Sequence, residues 1–347
     1  MMTQIYPWLE RQWMQWNQDF RPEGGGYLGH AYLLSGPKGI GIEQFITLVM
    51  QKALCQQPTA QGACQQCQAC HLMLGGQHPD YYHLTRLEDK KDISVDQVRG
   101  LVSKLNETSH QGGYKVIWIE GVESLNQSAF NALLKTLEEP AAHTLFLLTT
   151  HDVGRLPETI KSRCQQLNFP PPVLKEAVSW LQQALPQVDL TLIKRALRLN
   201  WGAPLDALSW IESSKFEEDT QWKEGLKQLQ MGRKTVSQVV AEWLKWSTPV
   251  SVFDYFYLWS VSAVRSVAYS AETVENPSLN LPTEQRLQLQ NWLIFQQGTL
   301  QAKQYWLGNA NKELVLETLC LEWLEVQQTS DIFRSSFQSN LQKGTLA

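Results

Sequence analysis

Apolar and polar positions alternate in two different ways along the chain, and the change comes near residue 170. Before it, short strand-like runs at 31–34, 81–84, 115–119, 145–149 and 166–169 are separated by stretches whose apolar residues recur at helical spacing. Nearly continuous apolar runs of four or five residues suit strands buried on both faces, so the alternation predicts a parallel α/β sheet covered by helices. The predicted helices include 42–50 and a segment opened by a Ser94/Gln97 capping box, with Val95, Val98, Leu101, Val102 and Leu105 on one face. Another runs over 127–138 behind an Asn126 cap. Leu9, Trp13, Trp16 and Phe20 form one face of a short opening helix, and a loop at 21–29 carrying Gly24, Gly25 and Gly26 leads into the first strand.

Pro170, Pro171 and Pro172 end this regime. Beyond them the period is helical throughout, with Leu174, Ala177, Val178 and Leu181 on one face and Val236, Val239, Val240 and Trp243 on another. Further helical runs cover 255–264, 287–295 and 314–324. The pattern predicts three domains: α/β over 1–170, a small helical domain over 171–213 with room for three short helices, and an all-α domain over 214–347. Apolar faces in the last domain serve a core or a partner, and periodicity does not separate the two.

The run at 31–34 leads into a glycine loop, Gly36-Pro-Lys-Gly39-Ile-Gly41, and then a helix. That is the scaffold of a phosphate-binding P-loop, which needs G-x-x-x-x-G-K-[ST] so that a lysine reaches the phosphates and a hydroxyl holds Mg²⁺. Gly36 and Gly41 keep the spacing, but Ile42 replaces the lysine and Glu43 the hydroxyl. A carboxylate in that first helical turn repels the anion the site would bind. Lys38 lies inside the loop and is not placed to substitute. After the third strand, a nucleotide-hydrolysing site wants Asp-Glu; the pair here is Glu120-Gly121. Glu123 reads as a solvated surface charge.

Cys55, Cys64, Cys67 and Cys70 follow the P-loop helix in a C-x8-C-x2-C-x2-C arrangement across a polar, turn-prone stretch. Four thiolates at this spacing can close around one Zn²⁺ in a structural tetrahedron. His71 and His78 are further ligand types nearby, although four cysteines leave no vacancy. Composition narrows the rest. With 43% hydrophobic and 18% charged residues the chain is globular, and a formal charge of −4 argues against gripping DNA through its overall field. No secretion signal or membrane-length apolar run is read, the longest candidate being ten residues at 255–264, so a soluble, cytoplasmic protein is expected.

Several of these residues together resemble the clamp-loader subunits of bacterial DNA polymerase III, an AAA+ family, and among them the delta-prime kind. The likeness rests on His30-Ala-Tyr-Leu33, on the closely spaced cysteines, on Asn131-Ala-Leu-Leu-Lys-Thr-Leu-Glu-Glu-Pro140, and on Ser162-Arg163-Cys164. It is strong to about residue 170; beyond that, helical content, Leu307-Gly308-Asn309 and the 311–321 segment are a weaker echo. The resemblance implies an AAA+-like domain with a zinc module at 55–70, a helical lid, and a carboxyl-terminal collar that oligomerises. It further implies a stator-like subunit that does not hydrolyse ATP and binds none in its own site. Its partners would be the gamma/tau ATPase subunits and the delta subunit and, indirectly, the sliding clamp and primed DNA. Leu205 falls where a motor subunit carries a phosphate-sensing arginine, and Thr150 matches the polar sensor. Arg163 would act in trans as an arginine finger on a neighbouring ATP site. Ser162 would support its turn, and Cys164 would be a buried thiol. Two other readings are an ATP-hydrolysing motor subunit with an unusual P-loop and a zinc-containing nucleic-acid binder acting alone.

Overall fold

The computed structural model describes residues 5–20, 29–87, 90–105, 107–111, 113–213, 215–269 and 283–328, so most of the glycine-bearing loop at 21–29 lies outside the described residues. The described chain divides into two compact units: residues 1–177 with 203–206, and residues 178–202 with 207–347.

In the first unit five strands, β1 (Ala31–Ser35), β2 (Tyr81–Leu84), β3 (Lys115–Ile119), β4 (Thr144–Thr150) and β5 (Gln165–Asn168), form one sheet in the order β2-β3-β4-β1-β5. Every pairing is parallel; Leu33 lies opposite Leu148, and Ile117 opposite Phe146. All seven residues of β4 are buried, which is why its sequence shows no polar alternation. The helices of this unit are α1 (Glu10–Asp19), α2 (Ile42–Leu54), α3 (Gln68–Leu74), α4 (Val95–Leu105), α5 (Gln127–Glu138) and α6 (Glu158–Lys161).

Local chemistry explains the two most legible helices. Ser94 and Gln97 exchange capping hydrogen bonds at the start of α4, Ser94 N donating to Gln97 Oε1 at 3.0 Å and Gln97 N to Ser94 Oγ at 3.4 Å. Asn126 Oδ1 accepts from Ala129 N at 2.9 Å and caps α5. On α5, Phe130, Leu133 and Leu137 recur at helical spacing and enter the core with Leu33, Ile117, Phe146 and Leu148. Leu133 and Leu137 are 0% and 1% exposed, each burial stabilising the fold by about 2 kcal/mol. The opposite face of α5, Asn131, Lys135 and Glu138, stays exposed. His30 Nε2 donates to the Leu137 carbonyl at 2.9 Å, tying the residue before β1 to the last turn of α5.

The chain continues through α7 (Leu174–Ala184), α8 (Leu190–Leu199), α9 (Pro204–Glu212), α10 (Phe216–Gln230), α11 (Val236–Trp243), α12 (Ser251–Tyr269), α13 (Thr283–Leu307) and α14 (Lys312–Gln328). The core of the second unit is aromatic: Trp222, Trp243, Phe253, Phe256, Trp259, Trp292, Phe295 and Trp323 belong to one buried cluster. Edge-to-face contacts such as Trp259–Trp292, with centroids 4.8 Å apart, run through it. This is where many of the tryptophans go. On α7, Ala177 and Leu181 are buried as their spacing predicts, but Leu174 is 58% exposed. No described helix is long and apolar enough to cross a membrane.

Candidate nucleotide cradle, arginine and cysteine cluster

The glycine loop lies at the carboxyl end of β1, the position where open parallel sheets place their ligands. Gly39 and Gly41 adopt left-handed backbone with φ of 72° and 90°, the conformation that favours glycine. The loop is built, but this chain's own side chains cover it. A Cβ on Gly39 would come within 2.2 Å of Asp206 Cγ, and one on Gly41 within 2.5 Å of the Tyr6 ring. Tyr6 stacks on Trp8 at 5.1 Å, and Trp8 Nε1 donates to the Ile40 carbonyl at 2.8 Å. Leu205 N donates to the Gly39 carbonyl at 2.9 Å, so the residue in the sensor position is bonded directly to the loop.

Ile42 is buried in the first turn of α2 and Glu43 is exposed beside it. The Tyr6 hydroxyl is held above its usual range by burial and then by the Glu43 carboxylate. Two carboxylates, Glu43 and Asp206, therefore stand where phosphates would be received, and Lys38 is exposed on the outside of the loop. Restoring only the motif, Ile42→Lys with Glu43→Thr, is expected to leave Mg-ATP affinity weaker than millimolar. Adding Asp206→Ala and Tyr6→Ala should improve it at least tenfold in equilibrium dialysis. A gain of that size from the double variant alone would show that the covering residues are irrelevant.

At the neighbouring strand ends, Glu120 pairs with His83 at 3.0 Å, and that imidazole stacks on Trp118 at 4.2 Å. Gly121 N donates to Thr149 Oγ1 at 3.3 Å. The Thr150 hydroxyl, the expected sensor, accepts from Asp152 N at 3.1 Å and closes a local turn. Glu123 departs from its expected solvated state. Its Oε1 accepts from His151 N at 3.4 Å, and its Oε2 is buried without a hydrogen-bond partner among the described residues. The His151 ring in turn donates from Nδ1 to the Gly36 carbonyl at 2.8 Å, so Glu123 belongs to the framework behind the loop.

Arg163 sits between α6 and β5, about one-third exposed. Its Nη1 donates to the Thr159 carbonyl at 2.8 Å, and its Nη2 pairs with Glu138 at the end of α5. Ser162 Oγ donates to the same Thr159 carbonyl at 3.2 Å, supporting the turn. Cys164 is buried, and burial pushes its thiol up to about 12. Sequence reasoning singles out Arg163 but not its ion-pair partner Glu138, nor Asp206, Tyr6 and His151 at the glycine loop. Glu138 lay within the recognised ten-residue motif; the others act through contacts that no local spacing announces.

The four Sγ atoms of Cys55, Cys64, Cys67 and Cys70 all lie within 4.8 Å of one another, and no histidine belongs to the group among the described residues. Sulfurs about 2.3 Å from a central ion sit about 3.8 Å apart in a tetrahedron. The Cys55–Cys67 and Cys64–Cys70 separations are 3.9 Å and Cys67–Cys70 is 3.5 Å, so the donor set fits a metal of that size. Backbone N–H groups of Gln57 and Cys64 point to Cys55 Sγ at 3.4 and 3.2 Å, the kind of donation that supports thiolate ligands. Cys67 caps α3 and Cys70 lies within it, so this short helix fixes half of the cluster.

Fold and site together define a parallel-sheet α/β protein with a P-loop-type glycine loop that lacks the motif's lysine and hydroxyl, and with a four-cysteine module capable of holding a metal. Residues 16–173 match the family described as DNA polymerase III, delta subunit. The delta' subunit of DNA polymerase III from Pseudomonas aeruginosa is 36% identical over 332 residues, covering 93% of this chain and 98% of that one. The delta' subunit from Haemophilus influenzae is 41% identical over 62% of this chain and 64% of that one. The tau subunit of DNA polymerase III from Salmonella typhimurium is 32% identical over 56% of this chain and 31% of that one. The chain belongs to the delta' family of DNA polymerase III subunits.

Proposed function

We propose that this chain is the stator-like, non-hydrolysing subunit of a cytoplasmic DNA polymerase III clamp loader and supports ATP-dependent loading of the sliding clamp onto primed DNA. The observation that carries the reading is the glycine loop, retained in its left-handed geometry but lacking lysine and hydroxyl and covered by Tyr6, Leu205 and Asp206. A motor subunit would need those groups free to receive phosphates. The alternative of a motor with an unusual P-loop would have to rely on Lys38, which lies inside the loop sequence and is exposed, in place of the missing lysine.

Arg163 is the group by which a subunit without ATP chemistry acts on a neighbour. In the free chain Glu138 holds the guanidinium; in the assembly the fork turns to the charge developing on a gamma/tau subunit's transferring phosphoryl group. The cysteine module holds one structural Zn²⁺ through Cys55, Cys64, Cys67 and Cys70, the ion supplying a local cross-link and no open coordination position. The three-part division at 170 and 213 is retained in this reading, the last part serving as the collar that joins the gamma/tau and delta subunits. Exposed apolar residues on α13 and α14, including Ile294, Leu307, Leu314 and Leu321, support that role.

Reconstitution tests the assignment. A loader assembled from the other subunits without this chain should load clamps onto primed DNA at least tenfold more slowly than the complete loader. Equal loading rates would refute the proposed role.

A further inference from the structure

The amino-terminal helix touches both the glycine loop and the cysteine module. A 3-10 turn over Pro7–Leu9 runs directly into α1, and no glycine or proline lies between Trp8 and Asp19. Residues 7–19 therefore form one rod, about 20 Å long, with no hinge in it. At its start, Trp8 Nε1 donates to the Ile40 carbonyl at 2.8 Å, and the Tyr6 ring lies against Gly41. At its far end, Asn17 Nδ2 donates to the Ala60 carbonyl at 2.7 Å. Ala60 belongs to the module: it sits in a turn that Thr59 N closes on the Gly62 carbonyl at 2.7 Å, between the ligand positions Cys55 and Cys64.

A buried cation joins the same pieces. Lys52, in the last turn of α2, is 3% exposed, and its Nζ donates to Asn17 Oδ1 and, at 3.4 Å, to the Ala60 carbonyl. The ammonium also lies 6.0 Å from the centroid of the Trp13 ring and 5.5 Å from that of Phe20. A charge taken out of water is costly unless its hydrogen bonds are made. Asn17 and Ala60 make them only while α1 and the module loop are both in place. The middle of the rod is pinned separately: Gln12 Nε2 donates to the Asn168 carbonyl of β5 at 3.0 Å, and Trp13 meets Phe45 of α2 edge-on at 6.1 Å. A rigid rod pinned at its middle pivots, so a change at the module end reaches the glycine loop.

We propose that metal loading of the cysteine module clamps this rod, so that the module sets whether the glycine loop is covered, with Asn17 as the positioning residue that carries the coupling. The proposal rests on the reading of the module as a zinc site. Cys55 and Cys64, when they share an ion, hold the turn that presents the Ala60 carbonyl; without it the polar stretch between them has no closure, and Asn17 and Lys52 lose a fixed acceptor. Coupling of this kind is reciprocal: the factor by which metal favours the docked rod is the factor by which the docked rod favours metal. A hydrogen-bond network around a buried ammonium sets that factor at about tenfold.

The test is residue-resolved hydrogen exchange of the zinc-loaded full chain, of the same chain after chelation, and of the zinc-loaded Asn17→Leu variant. Leu9 N, bonded to the Tyr6 carbonyl at 2.9 Å, reports the loop end of the rod, and Phe20 N, bonded to the Trp16 carbonyl at 3.0 Å, reports the module end. Phe146 N, bonded to the His30 carbonyl at 2.8 Å, reports the sheet. Chelation is expected to speed exchange at Leu9 and Phe20 together, by about tenfold, and to leave Phe146 unchanged, which shows the sheet intact. Asn17→Leu should produce the same rise with zinc bound and should weaken zinc affinity about tenfold in competition with a chromophoric chelator. Verified zinc release with Leu9 exchange unchanged, or an Asn17→Leu chain of parental zinc affinity, would overturn the proposal. A chain that holds no metal before chelation and takes up none would contradict the zinc reading, and the proposed control would fall with it; elemental analysis tells that failure from the other two.

Discussion

Under the proposed trans role, Arg163→Ala in a reconstituted loader is expected to abolish productive turnover at one neighbouring ATP site. An arginine finger contributes on the order of 10³-fold or more to phosphoryl transfer, roughly 4 kcal/mol of transition-state stabilisation. Bulk DNA-stimulated ATPase should fall by that site's share, and clamp loading should fall further because the sites act in one cycle. Arg163→Lys should fail almost as badly, since a point ammonium lacks the planar fork. The fold should persist: Arg163 spends its contacts on the Thr159 carbonyl and on the half-exposed Glu138, a pair worth about 0–1 kcal/mol. Unchanged turnover in a correctly assembled loader would remove Arg163 from the mechanism.

Removing the metal should have the second large effect, and a local one. Chelation of the purified chain is expected to release about one zinc and to expose four thiols, those of Cys55, Cys64, Cys67 and Cys70, to alkylation. Cys164 and Cys320 should stay unmodified while the chain is folded, because both are buried and burial raises both thiols. A structural zinc site can carry on the order of 10 kcal/mol of local folding free energy, so residues 55–70 should lose protection from hydrogen exchange. The sheet core around Leu33, Ile117 and Phe146 uses none of these four cysteines and should keep its protection. Carefully purified protein without metal by elemental analysis would contradict the zinc assignment.

Much of the first unit was legible because its chemistry is local. The central strands β1, β3 and β4 are buried on both faces, whereas the edge strands β2 and β5 are partly exposed, and the caps at Ser94 and Asn126 announce themselves within three residues. The ten-residue motif ending at Pro140 carries both its core stripe, Leu133 and Leu137, and the Glu138 that meets Arg163. The substitutions at Ile42 and Glu43 are visible as letters. That Asp206 and Tyr6 lie on the loop is not, since one comes from far later in the chain and the other from before α1. Periodicity also overreached at Leu174, which shares the spacing of Ala177 and Leu181 but lies in the first turn of α7 and stays in solvent. Helix α3 is not announced by the sequence, because it is only seven residues long and its N-cap position is Cys67, whose side chain makes no capping hydrogen bond. Glu123 was misjudged because a lone acid after a strand is usually solvated, and only the fold brings His151 to it.

The central claim is that this chain carries a P-loop fold without nucleotide chemistry. Equilibrium binding of a fluorescent ATP analogue with Mg²⁺ to the isolated chain, run beside a hydrolysis assay, tests it most directly. The structure predicts no saturable binding at physiological nucleotide concentration and no hydrolysis above background, because Ile42, Glu43 and Gly121 replace the working groups and Asp206 and Tyr6 cover the loop. Tight binding with turnover would contradict the account and make the chain a motor subunit.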